Sequence, residues 1–400
     1  MSSFGNLPDA QEVNGFHGAF LYGDTGSVNG FDLPVLGYSE MDHLNGFQLG
    51  AAAGSHIRNG MNGAAVSLFN WHGGADNGVN LGLANQVGDL AGANVGLYSG
   101  TAQTTGVNLG LVNTEGTMGG TGNMTGLNVA ALANYGTGNM TGLNVSPLNW
   151  TQQDATGANV SLVNHNGNMT GLNVGAIANW NEGNMKGLNA GIANWTDNDM
   201  KGANVTVLNH NTNVTGVNIG ALGNVNEGHV EGLNVGAVNW TGGDTKGVNL
   251  SVLNHTGDLE GVNVAGIANW SEGNITGVNV APINRSGDVT GVNVSALNWT
   301  NNMTGFNLGA VNLANDVTGV NLGAVNVANN VTGLNLSAIN VATGHTTTDI
   351  GAFNFADSTN FQFGLFNVTN HLEGLQIGLI NYAGDAAVPV LPIVNFHRSF

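Results

Sequence analysis

The chain repeats a four-residue frame, Gly-φ-Asn-φ with φ apolar, at intervals that themselves repeat. From Gly126 the gaps between successive frame glycines run 16, 15, 14, 16, 15, 14, 16, 15, 14, so Gly126, Gly171, Gly216 and Gly261 lie 45 residues apart. A short fixed period is typical of repeat proteins, in which each unit buries its surface only against its neighbours. The sequence therefore predicts one repeat body rather than several globular domains.

The frame covers most of the chain. Its third residue is Asn in every frame from Gly78 to Gly333, and degenerate copies with Phe or Gln continue toward both ends. Terminal units of solenoids are usually atypical because they cap an open core. We predict an N-terminal cap with degenerate coils over residues 1–45, a repeat body over residues 46–382 and a C-terminal cap over residues 383–400.

The pattern inside one unit favours a parallel β-solenoid. After Gly319, Val320 and Leu322 share one strand face, Val325 and Val327 share another, and the alternation breaks between the two pairs. Such breaks mark corners. We therefore predict an all-β fold: a single elongated parallel β-solenoid (β-helix) of about 25 short coils of 14–16 residues, with a 45-residue three-coil superrepeat. In this interpretation the apolar side chains point into a narrow interior, and Gly and Asn form the bends.

An antiparallel meander with one strand per unit is the alternative fold. Neighbouring strands of a meander run in opposite directions, so its superperiod should contain an even number of strands. The observed superperiod contains three units, which favours the parallel solenoid.

Two asparagine series recur from unit to unit. In a parallel stack, equivalent side chains lie about 4.8 Å apart, and a stacked amide can donate to one neighbour and accept from the other. We predict two structural ladders. The clearest members are Asn128, Asn144, Asn159 and Asn173 in the first and Asn134, Asn149, Asn164 and Asn179 in the second. A binding surface is the alternative interpretation of these residues.

Tryptophan occurs almost always directly after the second Asn of a unit. These residues are Trp150, Trp180, Trp195, Trp240, Trp270 and Trp299. Aromatic side chains on neighbouring coils can stack, so they are candidates for a strip that binds a glycan or a receptor. Alternatively, they cover a thin edge of the core.

Composition excludes some function classes. The net charge of −19 with only 6 Lys plus Arg argues against nucleic-acid binding, because phosphate contacts need basic side chains. The absence of Cys rules out disulfides and thiolate chemistry. We also see no paired carboxylates, Ser/His/Asp set or phosphate-binding loop, so we predict a protein that is not an enzyme and has no cofactor.

Metal binding is the weaker interpretation of two further series. His165, His210 and His255 recur three coils apart, too far for one metal ion to bind them together. Acidic residues cluster in the variable turn of the unit. They are Glu182, Asp197, Asp199, Glu227, Asp244, Asp258, Glu272, Asp288 and Asp316. Weak Ca²⁺ binding at such turns is the alternative to a solvated edge.

The last coils resemble a known family. The stretch Gly374–Tyr382, with Pro389, Pro392 and Asn395 after it, resembles the closing segment of bacterial surface-repeat proteins, such as leptospiral ones, built on Gly-φ-Gln-φ-Gly-φ units. The central units have Asn in place of that Gln. The resemblance implies an extracellular or cell-surface location and little chemistry. We expect no transmembrane segment, since no stretch approaches 18 consecutive apolar residues, and no Sec signal is visible.

These observations predict a structural surface rod that self-associates, end to end or laterally, into a filament or surface layer. Aromatic residues near the two ends are candidates for end-to-end stacking by strand pairing. They are Phe16, Phe20, Tyr22, Phe396 and Phe400; caps that block such pairing are the alternative. The alternative function is an adhesin or a receptor- or glycan-binding module, including a phage-type one, that uses the tryptophan strip. A partial threonine series is similar to the arrays of ice-binding solenoids, but it has one Thr per coil where those usually have two.

Overall fold

A computed structural model describes residues 6–7 and 10–397 of the chain. The chain divides into two compact units, Met1–Thr206 (unit 1) and Val207–Phe400 (unit 2). The predicted boundaries after residues 45 and 382 stay predictions.

Unit 1 consists almost entirely of strands, with one 3₁₀ turn at Thr117–Gly119. Its strands are β1 (Asn6–Leu7), β2 (Glu12–Ala19), β3 (Tyr22–Pro34), β4 (Tyr38–Ile57), β5 (Gly60–His72), β6 (Ala75–Leu81), β7 (Ala84–Val95), β8 (Tyr98–Glu115), β9 (Met124–Gly136), β10 (Met140–Val145), β11 (Leu148–Thr151), β12 (Ala155–Asn166) and β13 (Met169–Asn181), and β14 (Met185–Asn226) begins in it.

Unit 2 begins within β14 and has the same architecture. Its further strands are β15 (Val230–Thr241), β16 (Thr245–Thr256), β17 (Leu259–Ser271), β18 (Ile275–Val280), β19 (Ile283–Arg285), β20 (Val289–Trp299), β21 (Asn302–Leu313), β22 (Asp316–Leu322), β23 (Val325–Ala328), β24 (Asn330–Leu336), β25 (Ile339–Ala342), β26 (His345–Ile350), β27 (Phe353–Ala383) and β28 (Val390–Phe396).

Successive coils pair in parallel, which confirms the predicted β-solenoid. In unit 1, Gly142 of β10 pairs with Gly126 of β9 on one side and Gly157 of β12 on the other. In unit 2, β17, β18 and β20 likewise align Gly261, Gly277 and Gly291. The fold has about 23 turns, close to the predicted number. Each coil contributes one strand segment through the frame glycine and first Asn, and a second through the second Asn.

The interior of the coils is the reverse of the one predicted. In the coil around Gly319, Asn321 and Asn326 are fully buried, whereas the apolar residues Val320, Leu322 and Val325 are only partly covered. Both Asn columns therefore line the inside, and the flanking apolar residues face outward. The prediction that the apolar residues fill the interior and Asn forms the bends is wrong.

Side chains alternate between the two faces of a strand, so either the Asn or its apolar neighbours must face the interior. The two apolar residues of Gly-φ-Asn-φ flank the Asn, so they share one face and the Asn takes the other. Burying the Asn is tolerated because stacked amides satisfy each other's hydrogen bonds. The outward apolar residues still lose part of their exposed surface by stacking on their counterparts one coil away.

In each unit an apolar interior column is formed by the residue two positions before most frame glycines. In unit 1 it includes Met124, Met140, Met169 and Met185, and in unit 2 Leu259, Ile275, Val289, Met303, Val317 and Val331; all are at most 2% exposed. A small-residue column, two positions after the second Asn, closes the interior with residues such as Thr151 and Ala328. The core of each unit therefore contains an apolar column between polar ones.

The frame glycines lie within strands rather than at bends. Gly277 has a φ of 134°, a conformation that L-residues rarely adopt. A Cβ atom added to it would overlap the backbone carbonyl oxygen of Gly261, one coil earlier. The frame thus needs glycine both for its backbone angle and for the close approach of adjacent coils.

Candidate functional site: an outward tryptophan column

The predicted asparagine ladders form. In the second ladder of unit 1, Asn134 Nδ2 donates to Asn149 Oδ1 (2.9 Å), Asn149 to Asn164 (3.1 Å) and Asn164 to Asn179 (2.9 Å). Each of these amides also donates to a backbone carbonyl, as Asn164 does to Val174 O (2.9 Å). All eight predicted members, Asn128, Asn144, Asn159, Asn173, Asn134, Asn149, Asn164 and Asn179, are at most 1% exposed. Side chains buried in this way hold the coils together and present no binding surface.

The six predicted tryptophans all point outward at one equivalent position. We define the tryptophan column as the residues directly after the second Asn. It includes Trp71, Tyr135, Trp150, His165, Trp180 and Trp195 in unit 1, and His210, Val225, Trp240, His255, Trp270, Arg285, Trp299 and Leu313 in unit 2. The six indoles are between 37% and 57% exposed. The column is therefore a surface feature of each unit.

Neighbours within the column cover ring faces. The rings of Trp150 and His165 stack with centroids 3.9 Å apart, as do those of Trp240 and His255. Arg285 places its guanidinium carbon 4.4 Å from the ring centroid of Trp270 and 5.6 Å from that of Trp299. These indoles therefore expose mainly their edges and their remaining faces to solvent.

Sequence reasoning missed that the histidines and Arg285 belong to the tryptophan column. The signal was present, because each of them also follows a second Asn. Every histidine of the 45-residue series lies near a glutamate: the distance from Nε2 to Oε1 is 3.2 Å for His165 and Glu182, 3.4 Å for His210 and Glu227, and 3.3 Å for His255 and Glu272. The glutamates thus form one edge of the column and orient the imidazoles.

An apolar corner borders the column. In unit 2 the residues one or two positions before the second Asn include Leu222 (60% exposed), Ile267 (53%) and Ile283 (46%). Such side chains usually lie inside a protein, and contiguous exposed ones mark interaction surfaces. We call the tryptophan column and this corner together the apolar face.

Several acidic residues of the turn bind the backbone of the next coil. Asp244 Oδ1 accepts the Asp258 N–H (2.9 Å), and Asp288 Oδ1 accepts the Asn302 N–H (3.1 Å). In unit 1, Asp154 accepts the Asn168 N–H (3.0 Å). These carboxylates therefore have a structural function beyond carrying charge. Over residues 6–7 and 10–397, no group of three or more His, Cys, Asp or Glu side chains is arranged to hold a metal ion, and weak Ca²⁺ binding stays a prediction.

The predicted end residues have different surroundings. Phe16 points sideways rather than along the coil stack: it is 56% exposed and stacks on Phe31 of the next coil. Tyr22 donates to Glu40 Oε2 (2.7 Å), whereas Phe20 and Phe396 are more than half exposed. Phe400 lies outside the described residues. A role of these residues in self-association stays a prediction.

A shallow groove lies on another outer face of unit 2. It has a volume of about 680 Å³, and Glu231, Lys246 and Glu260 line it on successive coils. Lys246 Nζ lies 3.4 Å from Glu260 Oε2. Asp244 and Asp258 also line the groove, so four carboxylates surround a single lysine and its charge is predominantly negative.

A Ser–His–Asp set, which sequence reasoning did not find, lies inside unit 1. Ser55 Oγ is 3.1 Å from His72 Nε2, and His72 Nδ1 is 2.5 Å from Asp76 Oδ2. The order of contacts matches that of a hydrolase triad, but all three residues are fully buried. A nucleophile must contact its substrate, so the set serves here as an interior hydrogen-bond network.

The interior also contains an acidic residue at an Asn ladder position. Asp349 pairs in register with Asn335 and Gln362. Burial raises the pKa of Asp349, and hydrogen bonds from Thr346, Asn335 and Gln362 oppose this rise. Because the pKa is higher in the folded than in the unfolded chain, the folded state binds more protons, and stability is lost as pH rises from about 4, the unfolded pKa.

Replacing Asp349 with Asn should remove this pH dependence. We expect the free energy of unfolding of the wild type, relative to Asp349→Asn, to fall as pH rises from about 4 through the folded pKa. Urea unfolding followed by circular dichroism at a series of pH values measures the difference. Asp316→Asn makes the same charge change at an exposed corner and controls for net charge. A difference between wild type and Asp349→Asn that is independent of pH would contradict the prediction.

Comparison of the chain with protein-family models, curated proteins and solved structures found no match. Within the described part of the chain, no helix has the length and apolar character needed to cross a bilayer.

Proposed function

We propose that this protein is a non-catalytic structural β-solenoid that associates laterally with copies of itself through the apolar face. The observation that carries the proposal is the exposure of that face. In unit 2, Trp240, Trp270 and Trp299 are each about half exposed, which amounts to roughly 350 Å² of indole surface. With the neighbouring corner residues, the face reaches the size of the patches that mark protein interaction sites.

The charge distribution supports a second copy as the partner. A chain with a net charge of −19 repels its own copies wherever acidic residues face each other. Between Val225 and Leu313 the described tryptophan column of unit 2 has one permanently charged side chain, Arg285, which is cationic. Glu227 and Glu272 lie at its edge, 3.4 Å and 3.3 Å from His210 and His255. The apolar face is therefore a surface on which two copies can approach without strong repulsion.

The end strands favour lateral over end-to-end association. Strand β28 pairs antiparallel with β27 and contains Pro392, which has no backbone N–H, while Ile393 has a φ of 72°. At the other end the short strand β1 pairs antiparallel with β2. Short strands, proline and irregular backbone are devices by which edge strands avoid pairing with other chains.

The covered ring faces support self-association over glycan binding. Sugars stack on the faces of aromatic rings, and His255 and Arg285 occupy faces of Trp240, Trp270 and Trp299. Indole edges and aliphatic corner residues suit a flat apolar partner such as another copy of this face. A surface location, as a filament or layer, is part of the proposal.

Sedimentation velocity and negative-stain electron microscopy across protein concentration test the proposal. We expect the wild type to form laterally associated assemblies. The triple variant Trp240→Glu, Trp270→Glu, Trp299→Glu should assemble only at a protein concentration at least tenfold higher, because three charges would have to be desolvated. The matched control Thr276→Glu, Thr290→Glu, Thr304→Glu introduces the same charges on a different exposed column and should still assemble.

Two outcomes would contradict this proposal. Loss of assembly in Phe396→Glu, together with assembly by the tryptophan triple variant, would show end-to-end association. A wild type that stays monomeric at every concentration but binds a glycan or receptor would support the adhesin function instead.

A further inference from the structure

One carboxylate in the interior of unit 1 has no cationic partner. Glu115, at the end of β8, is 1% exposed and occupies the small-residue column, where other coils have Thr, Ser, Ala or Asn. Among the described residues, no Lys, Arg or His forms an ion pair with it. An unpaired charge buried in protein is costly and must be neutralised.

Three side chains connect to Glu115 through hydrogen bonds, and a fourth, Asn94, lies beside them without one in the described structure. Asn108 Nδ2 donates to Glu115 Oε1 (2.6 Å) and to Thr104 Oγ1 (3.2 Å), and the hydroxyls of Thr104 and Thr101 lie 2.8 Å apart. Asn94 is the register partner of Asn108 one coil earlier. All five residues, Asn94, Thr101, Thr104, Asn108 and Glu115, are at most 2% exposed; we call them the Glu115 cluster.

Oxygen atoms in this cluster lack hydrogen-bond donors. Asn94 Oδ1, Asn108 Oδ1 and Glu115 Oε2 are buried with no hydrogen-bond partner among the described atoms, against one unpartnered donor group, Asn94 Nδ2. Among the described residues, the first Asn ladder has direct amide–amide bonds at some steps, as from Asn144 to Asn159 (2.8 Å), and none at others, including the step from Asn94 to Asn108. The oxygens of Asn94 and Asn108 are therefore open to another group, and the neighbouring Asn128 Nδ2 is also unpartnered.

The chemistry of these donors selects the ligand. Carboxylate, amide and hydroxyl oxygens bind hard cations, and no soft sulfur or imidazole ligand belongs to the cluster. One carboxylate among neutral oxygens balances a single positive charge. Burial raises the pKa of Glu115 to about 8, as expected for a carboxyl group that must otherwise hold a proton to stay neutral.

We propose that the Glu115 cluster is an interior binding site for one alkali-metal cation, Na⁺ or K⁺. The cation balances the charge of Glu115 and accepts coordination from the carbonyl oxygens of Asn94 and Asn108 and the hydroxyl oxygens of Thr101 and Thr104. It stabilises these coils of unit 1 by satisfying oxygens that the ladder leaves unpaired.

A buried amide elsewhere shows why the carboxylate matters. Asn263 in unit 2 is also fully buried with both side-chain polar atoms unpartnered, and its register partners are Asn249 and Asn279. An amide with one free donor group and one free acceptor suits a water molecule. The Glu115 cluster differs by its excess of acceptors and its charge.

Thermal unfolding of the full chain at pH 9 in KCl, NaCl or choline chloride of equal ionic strength tests the proposal. We expect the melting temperature of unit 1 to rise by about 5 °C in KCl or NaCl when the cation is in hundredfold excess over its Kd. Rubidium serves as the second probe: after equilibration with RbCl and desalting into choline chloride, mass spectrometry should find one Rb⁺ per chain.

Variants locate the site. Glu115→Gln should lose both the temperature shift and the retained Rb⁺, and Thr101→Val, which is close in shape, should lower both. Asp89→Asn removes an exposed carboxylate of the same unit and should leave both unchanged. If Glu115→Gln does not fold, the temperature shift of Thr101→Val and the Rb⁺ content of the wild type still test the proposal. Equal melting temperatures in the three salts and Rb⁺ below about one-tenth per chain would overturn the proposal and leave a protonated Glu115.

Discussion

Replacing Gly277 with alanine should destabilise unit 2 by at least about 4 kcal/mol, a loss that few single substitutions reach. Gly277 has a φ of 134°, and the added methyl group would overlap the carbonyl oxygen of Gly261. Parallel strands pair on both sides of this residue, so the backbone cannot move away without breaking ladders in three coils. Urea unfolding followed by circular dichroism measures the change.

Gly266→Ala is the matched control. Gly266 lies at an exposed corner of the preceding coil, and a Cβ atom there would meet only the Cα of Val252, at 3.8 Å. We expect this variant to unfold within about 1 kcal/mol of the wild type. Equal stability of the two variants would show that the frame glycine is dispensable.

The second large effect is expected in the interior ladder. Asn298 is fully buried. Its Nδ2 donates to Leu308 O (2.9 Å) and Asn312 Oδ1 (2.8 Å), and its Oδ1 accepts from Ser295 Oγ (2.7 Å) and Asn284 Nδ2 (3.3 Å). Asn298→Ala leaves four groups without that partner, two of them fully buried (on Asn284 and Asn312) and two half-buried (on Ser295 and Leu308), at about 1–3 kcal/mol for each group that stays unsatisfied. We expect a loss of about 4 kcal/mol in the free energy of unfolding.

Asn301→Ala tests whether burial, rather than the amide itself, is responsible. Asn301 is exposed and forms a similar coil-to-coil link, donating to Asp288 Oδ1 (3.1 Å) and accepting from Asn315 Nδ2 (2.7 Å). Water replaces its hydrogen bonds when the side chain is removed, so the loss should stay below about 1 kcal/mol. A loss as large as that of Asn298→Ala would mean that burial does not decide the contribution.

The sequence predicted the parallel coils and their register because every coil repeats the same positions. The frame glycines align as expected, and Asn134, Asn149 and Asn164 stack in one ladder. The common position of the tryptophans after the second Asn placed them in one column. These features follow from the spacing of the repeat, which is the same whichever face of the strand points inward.

Residues that depart from the repeat were harder to interpret from sequence. Glu115, His72 and Asp349 occupy interior columns, but a single acidic or histidine residue in a sequence looks the same on either face of a strand. For a similar reason, the sequence alone identified only the tryptophans of the column. His255 and Arg285 differ in type from Trp270, and only the strand register shows that they are its neighbours.

By itself the sequence determined the period, the parallel coil and the positions that stack, because these depend on spacing alone. Only the tertiary structure decided which face is inside. Hydrophobicity favours burying the residues that flank each Asn, but an amide inside a coil finds a partner in the next coil and a carbonyl at the corner, as Asn312 does in Asn326 and Leu322. Those partners come from other coils, so the balance that buries asparagine and exposes tryptophan exists only once the coils are stacked.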